Sequence, residues 1–297
     1  MPAERPSQLP ERITAPQLLA RKRRGRAIVM VTAYDAPQGR YADAAGVDAI
    51  LVGDSVGMTT LGYDTTLPVT LDDLIHHTKA VVRGQNARRA DVCPDNAPTD
   101  AERARGARHA LIISDMPFGT YGASVANGVK AGMRLISEGG AQAVKLEGAG
   151  SVVLETVRRL VDMGVPVMGH LGLTPQSIHR FGGFKVQGKT DDAALALIGG
   201  AKALEEAGAF GIVLEVIPAD LARRVTEVLA IPTVGIGAGL ACDGQVQVLH
   251  DLIGLTDGPV FKHARRYAEL GTALQEAIAA YAGQVRERQF PGPENTF

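Results

Sequence analysis

Short runs of apolar and β-branched residues alternate along the chain with longer segments whose apolar positions recur every three or four residues. Runs of the first kind are typical of buried strands, and segments of the second kind are typical of amphipathic helices. The eight predicted strands cover residues 27–32, 49–52, 110–113, 142–146, 166–171, 211–216, 231–236 and 246–250. The pattern therefore predicts an α/β protein.

Two of the intervening segments carry helix signals. Thr70 followed by Asp73 resembles a capping box, and Gly84 is the residue at which that helix is predicted to end. Its apolar face is predicted from Leu71, Leu74, Ile75, Val81 and Val82. A second helix is predicted after Pro218, with the apolar positions Leu221, Val225 and Val228.

Strands that alternate with helices pair in parallel through right-handed crossovers, and eight such units favour a (β/α)8 TIM barrel over an open doubly wound sheet. We predict one barrel domain over residues 1–297. This domain includes a polar N-terminal arm over about 1–12, a charged surface insertion at 85–108, and a C-terminal helix and tail over 263–297. The C-terminal pattern is compatible with packing on the same barrel and with packing on a neighbouring subunit.

Composition narrows the classes of function. The 31 basic and 32 acidic residues give a net charge of −1, which argues against a nucleic-acid partner. Cys93 and Cys242 form no CxxC motif, which favours a reducing compartment. No apolar run approaches the roughly 18 residues of a membrane span, so we expect a cytoplasmic protein without a membrane partner. The basic residues between Arg21 and Arg26 are interpreted as a solvated helix end.

Candidate chemistry follows the strands. In TIM barrels the catalytic groups lie at the carboxyl ends of the strands. Five consecutive predicted strands end in or lead into polar residues, namely Asp54 with Ser55, Asp115, Lys145 with Glu147, His170 and Glu215. Lys145 and Glu147 are two residues apart, so both side chains point to the same side of their strand. Buried carboxylates need a compensating cation, and oxygen ligands without a His or Cys cluster favour Mg²⁺.

Other interpretations of these residues stay open. An Asp at a strand end can be a helix N-cap, Glu215 can form a structural ion pair instead of acting as a general base, and His170 can be a core histidine. Gly235, Gly237 and Gly239 fit an anion-binding turn and a purely conformational role equally well. Taken together, a metal, a lysine, a histidine and a carboxylate base suit deprotonation of a 2-oxo acid next to its carbonyl group.

The same residues lie in longer motifs that resemble the ketopantoate hydroxymethyltransferase family. The matching segments include VTAYDAPQGRYADAAGVDAILVGDSVGM, SDMPFGTY, GAQAVKLEG, PVMGHLGLTPQSIHRFGGFKVQG, EEAGAFGIVLEVIPADLA and IPTVGIGAGLACDGQVQVLHDLIG. These motifs occur in the order that the family has, over residues 27–254.

The resemblance implies a barrel of the phosphoenolpyruvate/pyruvate-domain type that assembles as a homodecamer, a pentamer of dimers. It implies Mg²⁺-dependent transfer of a one-carbon unit from 5,10-methylenetetrahydrofolate to 3-methyl-2-oxobutanoate, giving 2-dehydropantoate and tetrahydrofolate, on the way to pantothenate. By motif, Asp54, Asp115 and Glu147 correspond to the metal-site acids, and Glu215 to the proton acceptor. The implied substrate contacts are Asp54, Ser55, Asp115, Lys145 and His170.

Segment 85–108 departs from the family pattern, since the family passes from helix to strand there within a few residues. Ser114 in place of Ala is a minor change.

Two other functions are alternatives to hydroxymethyl transfer. A metal-dependent 2-oxo acid C–C lyase or mutase uses the same barrel, but neither Cys93 nor Cys242 lies in the cysteine-containing loop motif of such enzymes. A catalytically silent scaffold would lack a metal acid or the base, and all four acids are present.

Overall fold

The computed structural model describes residues 12–86, 109–256 and 261–297, and its central feature is a closed barrel of eight parallel strands. Each strand pairs with the next along the chain, and β8 pairs with β1. The strands are β1 Ile28–Thr32, β2 Ala49–Val52, β3 Leu111–Asp115, β4 Ala143–Glu147, β5 Val167–Gly172, β6 Gly211–Glu215, β7 Thr233–Ile236 and β8 Gly244–Gln247. The predicted (β/α)8 barrel is confirmed.

Helices follow or precede the strands. In the barrel unit they are α1 Ala15–Arg23, α2 Ala36–Ala44, α3 Val56–Thr59, α4 Leu71–Asn86, α5 Val125–Ser137, α6 Ser151–Asp162, α7 Ile178–Phe181, α8 Asp191–Glu206 and α9 Ala219–Val228, with a 3₁₀ turn at Pro175–Ser177. A second compact unit, Val248–Phe297, contains α10 Leu249–Ile253, α11 Leu270–Arg286 and a 3₁₀ turn at Pro293–Asn295. None of the described helices is long and apolar enough to cross a membrane.

Side-chain caps fix where several helices begin. Thr70 and Asp73 form the predicted capping box at α4, because Asp73 N donates to Thr70 Oγ1 at 3.1 Å and Thr70 N donates to Asp73 Oδ2 at 2.9 Å. The Asp35 carboxylate caps α2 in the same sense, accepting from Gln38 N at 2.7 Å. Short polar side chains before apolar-periodic segments thus determine the helix starts.

Gly84 does not end α4 as predicted. The helix continues to Asn86, and Gly84 lies inside it against α2. A Cβ atom at this position would lie 1.9 Å from Ala36 O, so only glycine lets the two helices approach this closely. The glycine therefore serves helix packing, not helix termination.

Apolar side chains fill the barrel interior and its N-terminal end. Ile13 and Leu18, from the segment that contains α1, belong to the same buried cluster as interior strand residues, which include Ile28, Met30, Leu51, Leu111, Ile113, Met168, Val213 and Val234. At the basic end of α1, Arg23, Arg24 and Arg26 are exposed as predicted, whereas Arg21 and Lys22 are partly buried and paired. Arg21 contacts Asp48 at 2.5 Å and Lys22 contacts Asp243 at 2.9 Å.

The last predicted strand is displaced. β8 covers Gly244–Gln247, and His250 lies in α10 instead of ending the strand. In the second unit, the predicted long helix is α11, and Tyr267 precedes it. Most of the predicted 85–108 insertion, with Cys93, and nearly all of the 1–12 arm lie outside the described residues. The predicted single domain over 1–297 stays a prediction.

Candidate active site

The carboxyl ends of β3, β4 and β5 bring four of the predicted site residues together. Strand register places Asp115 beside Lys145 and Glu147 beside His170. The Lys145 ammonium Nζ lies 2.9 Å from Asp115 Oδ1 and 3.1 Å from His170 Nδ1. Lys145 and Glu147 therefore face the barrel mouth together, as their spacing predicts.

Asp54 and Ser55, after β2, join the same group. Asp54 N donates to Asp115 Oδ2 at 3.0 Å, and Ser55 Oγ lies 2.8 Å from the Tyr34 hydroxyl. The Asp54 carboxylate accepts from Gln176 Nε2 at 2.8 Å. These contacts link neighbouring strand ends, so the helix N-cap interpretation of Asp54 and Asp115 is not supported.

His170 connects two carboxylates. Its Nδ1 lies 3.3 Å from Glu147 Oε1 and its Nε2 lies 3.2 Å from Glu215 Oε2. Burial lowers the pKa of His170, as does the charge of Lys145, but the contacts with Glu147 and Glu215 outweigh both and raise it to about 9. The Glu215 side chain is 17% exposed, against 5% for Glu147. Glu215 is thus the more accessible of the two acids that His170 contacts.

The backbone after Glu215 is strained. Val216 has a φ angle of 47°, a left-handed conformation that a β-branched residue rarely adopts. Two hydrogen bonds hold it there: Val216 N donates to Ile236 O at 2.8 Å, and Gln187 N donates to Val216 O at 3.0 Å. A strained backbone persists only where the surrounding structure enforces it, and such residues are found preferentially at functional sites.

Negative charge exceeds positive charge among the buried groups. Burial, and then repulsion by Asp115 and Glu147, raise the pKa of Asp54 well above its ordinary value. Burial also raises the pKa of Asp115, although Lys145 opposes that shift. Burial disfavours a charged Lys145, but Asp115, Glu147 and Asp54 outweigh it and raise the lysine pKa. At neutral pH the Lys145 ammonium and a protonated His170 face the four carboxyl groups of Asp54, Asp115, Glu147 and Glu215, so a further cation would stabilise the site.

Sequence comparison assigns the family. A sequence profile described as ketopantoate hydroxymethyltransferase matches residues 12–95 and 99–293. The chain belongs to the ketopantoate hydroxymethyltransferase family. It is 51% identical over 296 residues to a protein of Deinococcus radiodurans named 3-methyl-2-oxobutanoate hydroxymethyltransferase, covering all of this chain and 95% of that protein. A protein of the same name from Moorella thermoacetica is 51% identical over 286 residues, covering 96% and 98% of the two chains.

Solved structures share the fold of this family member at low identity. A 2,3-dimethylmalate lyase, described as a PEP mutase/isocitrate lyase superfamily member, superposes with a TM-score of 0.54 at 16% identity, covering 95% of this chain and 91% of its own. A phosphonopyruvate hydrolase in complex with oxalate and Mg²⁺ gives a TM-score of 0.56 at 13% identity, covering 95% and 93%. Both likenesses concern the barrel alone.

The acids of this hydroxymethyltransferase-family chain fit a hard divalent cation chemically. Asp115 Oδ1 and Glu147 Oε1 are buried near Lys145 and His170 without an oriented hydrogen bond. Together with Asp54 they form an oxygen donor set, the kind that Mg²⁺ prefers. Across the described residues, no three His, Cys, Asp or Glu side chains already stand as a complete ligand group.

Two polar residues of the site, the buried Gln176 and the partly buried Tyr121, were not predicted. Gln176, in the 3₁₀ turn after β5, contacts Asp54, and Tyr121 donates from its hydroxyl to Gln176 Oε1 at 2.7 Å. Burial, then the negative charge of Glu147, raise the pKa of Tyr121 well above its ordinary value, so its hydroxyl stays protonated. Both residues lie within the family motifs SDMPFGTY and LTPQS, which is the signal that points to them.

None of the contacts described above involves His77 of α4 or the glycine-rich turn after β7. His77 Nδ1 lies 2.7 Å from Tyr34 O, a structural contact. Gly237 and Gly239 have φ angles of 64° and 81°, which supports their conformational role. An anion site at this turn stays a prediction.

Proposed function

We propose that this chain transfers a one-carbon unit from 5,10-methylenetetrahydrofolate to 3-methyl-2-oxobutanoate. The products are 2-dehydropantoate and tetrahydrofolate, and one water is consumed. One observation carries the proposal: the residues that correspond by motif to the family's metal acids, substrate contacts and proton acceptor meet at one end of the barrel. They form a chain of contacts from Asp54 through Asp115, Lys145 and His170 to Glu215.

Substrate binding is assigned to the positive and hydroxyl groups of this cluster. The Lys145 ammonium attracts the carboxylate and keto oxygens of a 2-oxo acid. The Ser55 hydroxyl, held by the Tyr34 hydroxyl at 2.8 Å, supplies an additional hydrogen bond.

Asp54, Asp115 and Glu147 are proposed to hold Mg²⁺. When bound, the ion would polarise the keto group and stabilise negative charge that develops on its oxygen. The protein contributes a buried setting in which these interactions are not weakened by water.

Glu215 is proposed as the base that removes the C3 proton of 3-methyl-2-oxobutanoate. The carbon left with the electron pair then forms a bond with the methylene carbon of the folate. Both bonds from that carbon to the folate nitrogens break, water supplies its hydroxyl group, and the two nitrogens take up the proton from C3 and the remaining proton of the water. His170 Nε2, 3.2 Å from Glu215 Oε2, holds the carboxylate toward the barrel mouth. Glu215 is accessible to a substrate because its side chain is only partly buried, whereas Asp115 and Glu147 are nearly covered.

Proton exchange tests the role of Glu215. With Mg²⁺ and 3-methyl-2-oxobutanoate in D₂O, the protein is expected to exchange the C3 proton, followed by NMR. Glu215→Gln should slow exchange about 100-fold or more, because a neutral amide cannot accept the proton. Glu206→Gln, on the exposed side of α8, is the matched control and should exchange normally. Undiminished exchange in Glu215→Gln would contradict the assignment.

The remaining parts of the proposal extend the family resemblance. The chain acts on small molecules, uses the methylene folate as co-substrate, and assembles as a homodecamer in the cytoplasm. The family match and the full-length identity to the two bacterial relatives support these assignments.

A further inference from the structure

Gln176 lies at the centre of the acid group although it carries no charge. It is 9% exposed and sits in the 3₁₀ turn Pro175–Ser177 after β5. Its backbone N donates to Glu147 Oε2 at 3.0 Å. Its side-chain Nε2 donates to Asp54 Oδ2 at 2.8 Å and to Met116 O at 3.0 Å. One residue therefore contacts two of the three proposed metal acids.

Tyr121 fixes the orientation of the Gln176 amide. The Tyr121 hydroxyl donates to Gln176 Oε1 at 2.7 Å and accepts from Glu147 N at 2.9 Å. Because the amide oxygen receives this hydroxyl proton, the amide nitrogen must face Asp54 and Met116 O. Both amide hydrogens and the oxygen then have partners, and a reversed amide would place two acceptors against each other.

We propose that Gln176 is a positioning residue for the metal acids, and that Tyr121 acts through it. Gln176 contacts one oxygen of the Asp54 carboxylate through its side chain and one oxygen of the Glu147 carboxylate through its backbone, and thereby limits how far the two acids can move apart. Groups that orient metal ligands in this way typically contribute tenfold to a hundredfold to metal affinity. The inference rests on the proposed function, since it assigns Mg²⁺ to these acids.

Mg²⁺ binding to the metal-free protein, measured by calorimetry without substrates, tests the inference. Gln176→Met keeps the approximate length of the side chain but removes its hydrogen bonds, and is expected to weaken Mg²⁺ binding about 10-fold to 100-fold. Mg²⁺ affinity equal to that of the wild type would overturn the inference.

Gln85→Met is the matched control. Gln85 is also buried and also contacts a carboxylate, with its Nε2 3.3 Å from Asp43 Oδ1 and 2.8 Å from Ala110 O. Ala110 precedes β3, so this glutamine lies at the opposite end of the barrel from the acids. Its variant should bind Mg²⁺ as the wild type does. An equal loss in both variants would mean that any buried glutamine matters through the fold alone, and would overturn the inference.

The Tyr121→Phe variant provides a second test of the inference. It should weaken Mg²⁺ binding by itself, and it should add little to Gln176→Met in the double variant, because both changes disrupt one network. If Gln176→Met does not fold, as judged by thermal melting, unchanged Mg²⁺ affinity in Tyr121→Phe would overturn the inference. Full additivity of the two changes would contradict the proposed action of Tyr121 through Gln176.

The outcomes separate this inference from the proposed function. A wild type that binds Mg²⁺ in a Gln176-dependent manner but forms no 2-dehydropantoate would uphold the inference and refute the function. If the wild type forms 2-dehydropantoate and its Mg²⁺ affinity does not depend on Gln176, the proposed function is upheld and the inference is refuted. Absence of Mg²⁺ binding by the wild type would overturn both the metal assignment and the inference.

Discussion

At the scale of single residues, the buried acids oppose folding while they serve the site. The pKa of Asp54 is raised because burial and its neighbours Asp115 and Glu147 disfavour its charged form. When the pKa of a carboxyl group is higher in the folded than in the unfolded protein, the group adds to the free energy of unfolding at low pH. This contribution is complete below the unfolded pKa, near 3.8, and is lost as the pH rises through the folded pKa. At neutral pH, therefore, Asp54 reduces the stability of the metal-free protein.

We predict that Asp54→Asn stabilises the metal-free protein at neutral pH by about 1 kcal/mol, since the amide removes the buried charge. Urea denaturation without metal measures the effect, and the gain should shrink as the pH falls toward 3.8. Asp115→Asn is the contrasting variant: it breaks the 2.9 Å ion pair with Lys145 and should cost about 3 kcal/mol. Destabilisation by both variants would contradict this electrostatic account.

Sequence patterns identify the charged residues of the site but not their uncharged supports. Asp54, Asp115, Glu147 and Glu215 stand out because acids are costly at the ends of apolar strands. Gln176 leaves no such signal in the hydrophobic pattern, because a polar residue in a turn is ordinary in any sequence, and only its place within a family motif points to it. Its contacts depend on tertiary structure, which places the turn after β5 over the ends of β2 and β4.

At the scale of elements, apolar periodicity predicts all eight strands, and only the last predicted strand is shifted from its observed position. The apolar pattern at 246–250 combines the end of β8 with the start of α10, so it shifts the predicted strand forward. The strand begins at Gly244, where a Cβ would lie 2.4 Å from Ile28 O. Hydrophobicity carries no information about such a close approach, which is a property of the closed barrel.

The α2–α4 contact gives a prediction at this scale. Gly84→Ala should destabilise the protein by about 2 kcal/mol or more, because its Cβ would overlap Ala36 O. Gly199→Ala, in α8 with no atom within 4 Å of the added Cβ, is the control and should stabilise by about 0.5 kcal/mol through helix propensity. Chemical denaturation distinguishes the two, and a similar response of both variants would exclude the packing role of Gly84.

At the scale of the whole molecule, the alternation of strands and helices suffices to predict a closed barrel, since eight parallel units must bury both faces of their sheet. It does not define the second unit, Val248–Phe297, because an amphipathic helix such as α11 fits more than one packing partner. Assembly depends on surfaces, and surfaces lack the periodicity that identifies a core.

Assembly is predicted from the family. Light scattering on the purified protein should give the mass of ten chains of 31.2 kDa each. Closed rings of identical subunits give a single defined mass that does not grow with concentration. The mass of one or two chains at micromolar concentration would refute the decamer without affecting the assignment of the site.

The central claim is that the acids at the barrel mouth perform folate-dependent hydroxymethyl transfer. The most direct measurement is mass spectrometry of the purified protein incubated with Mg²⁺, 3-methyl-2-oxobutanoate and 5,10-methylenetetrahydrofolate. We predict 2-dehydropantoate that requires all three components and is lost in Glu215→Gln. Absence of this product, together with cleavage of 2-methylisocitrate or isocitrate without folate, would contradict the account and assign the chain to the lyases.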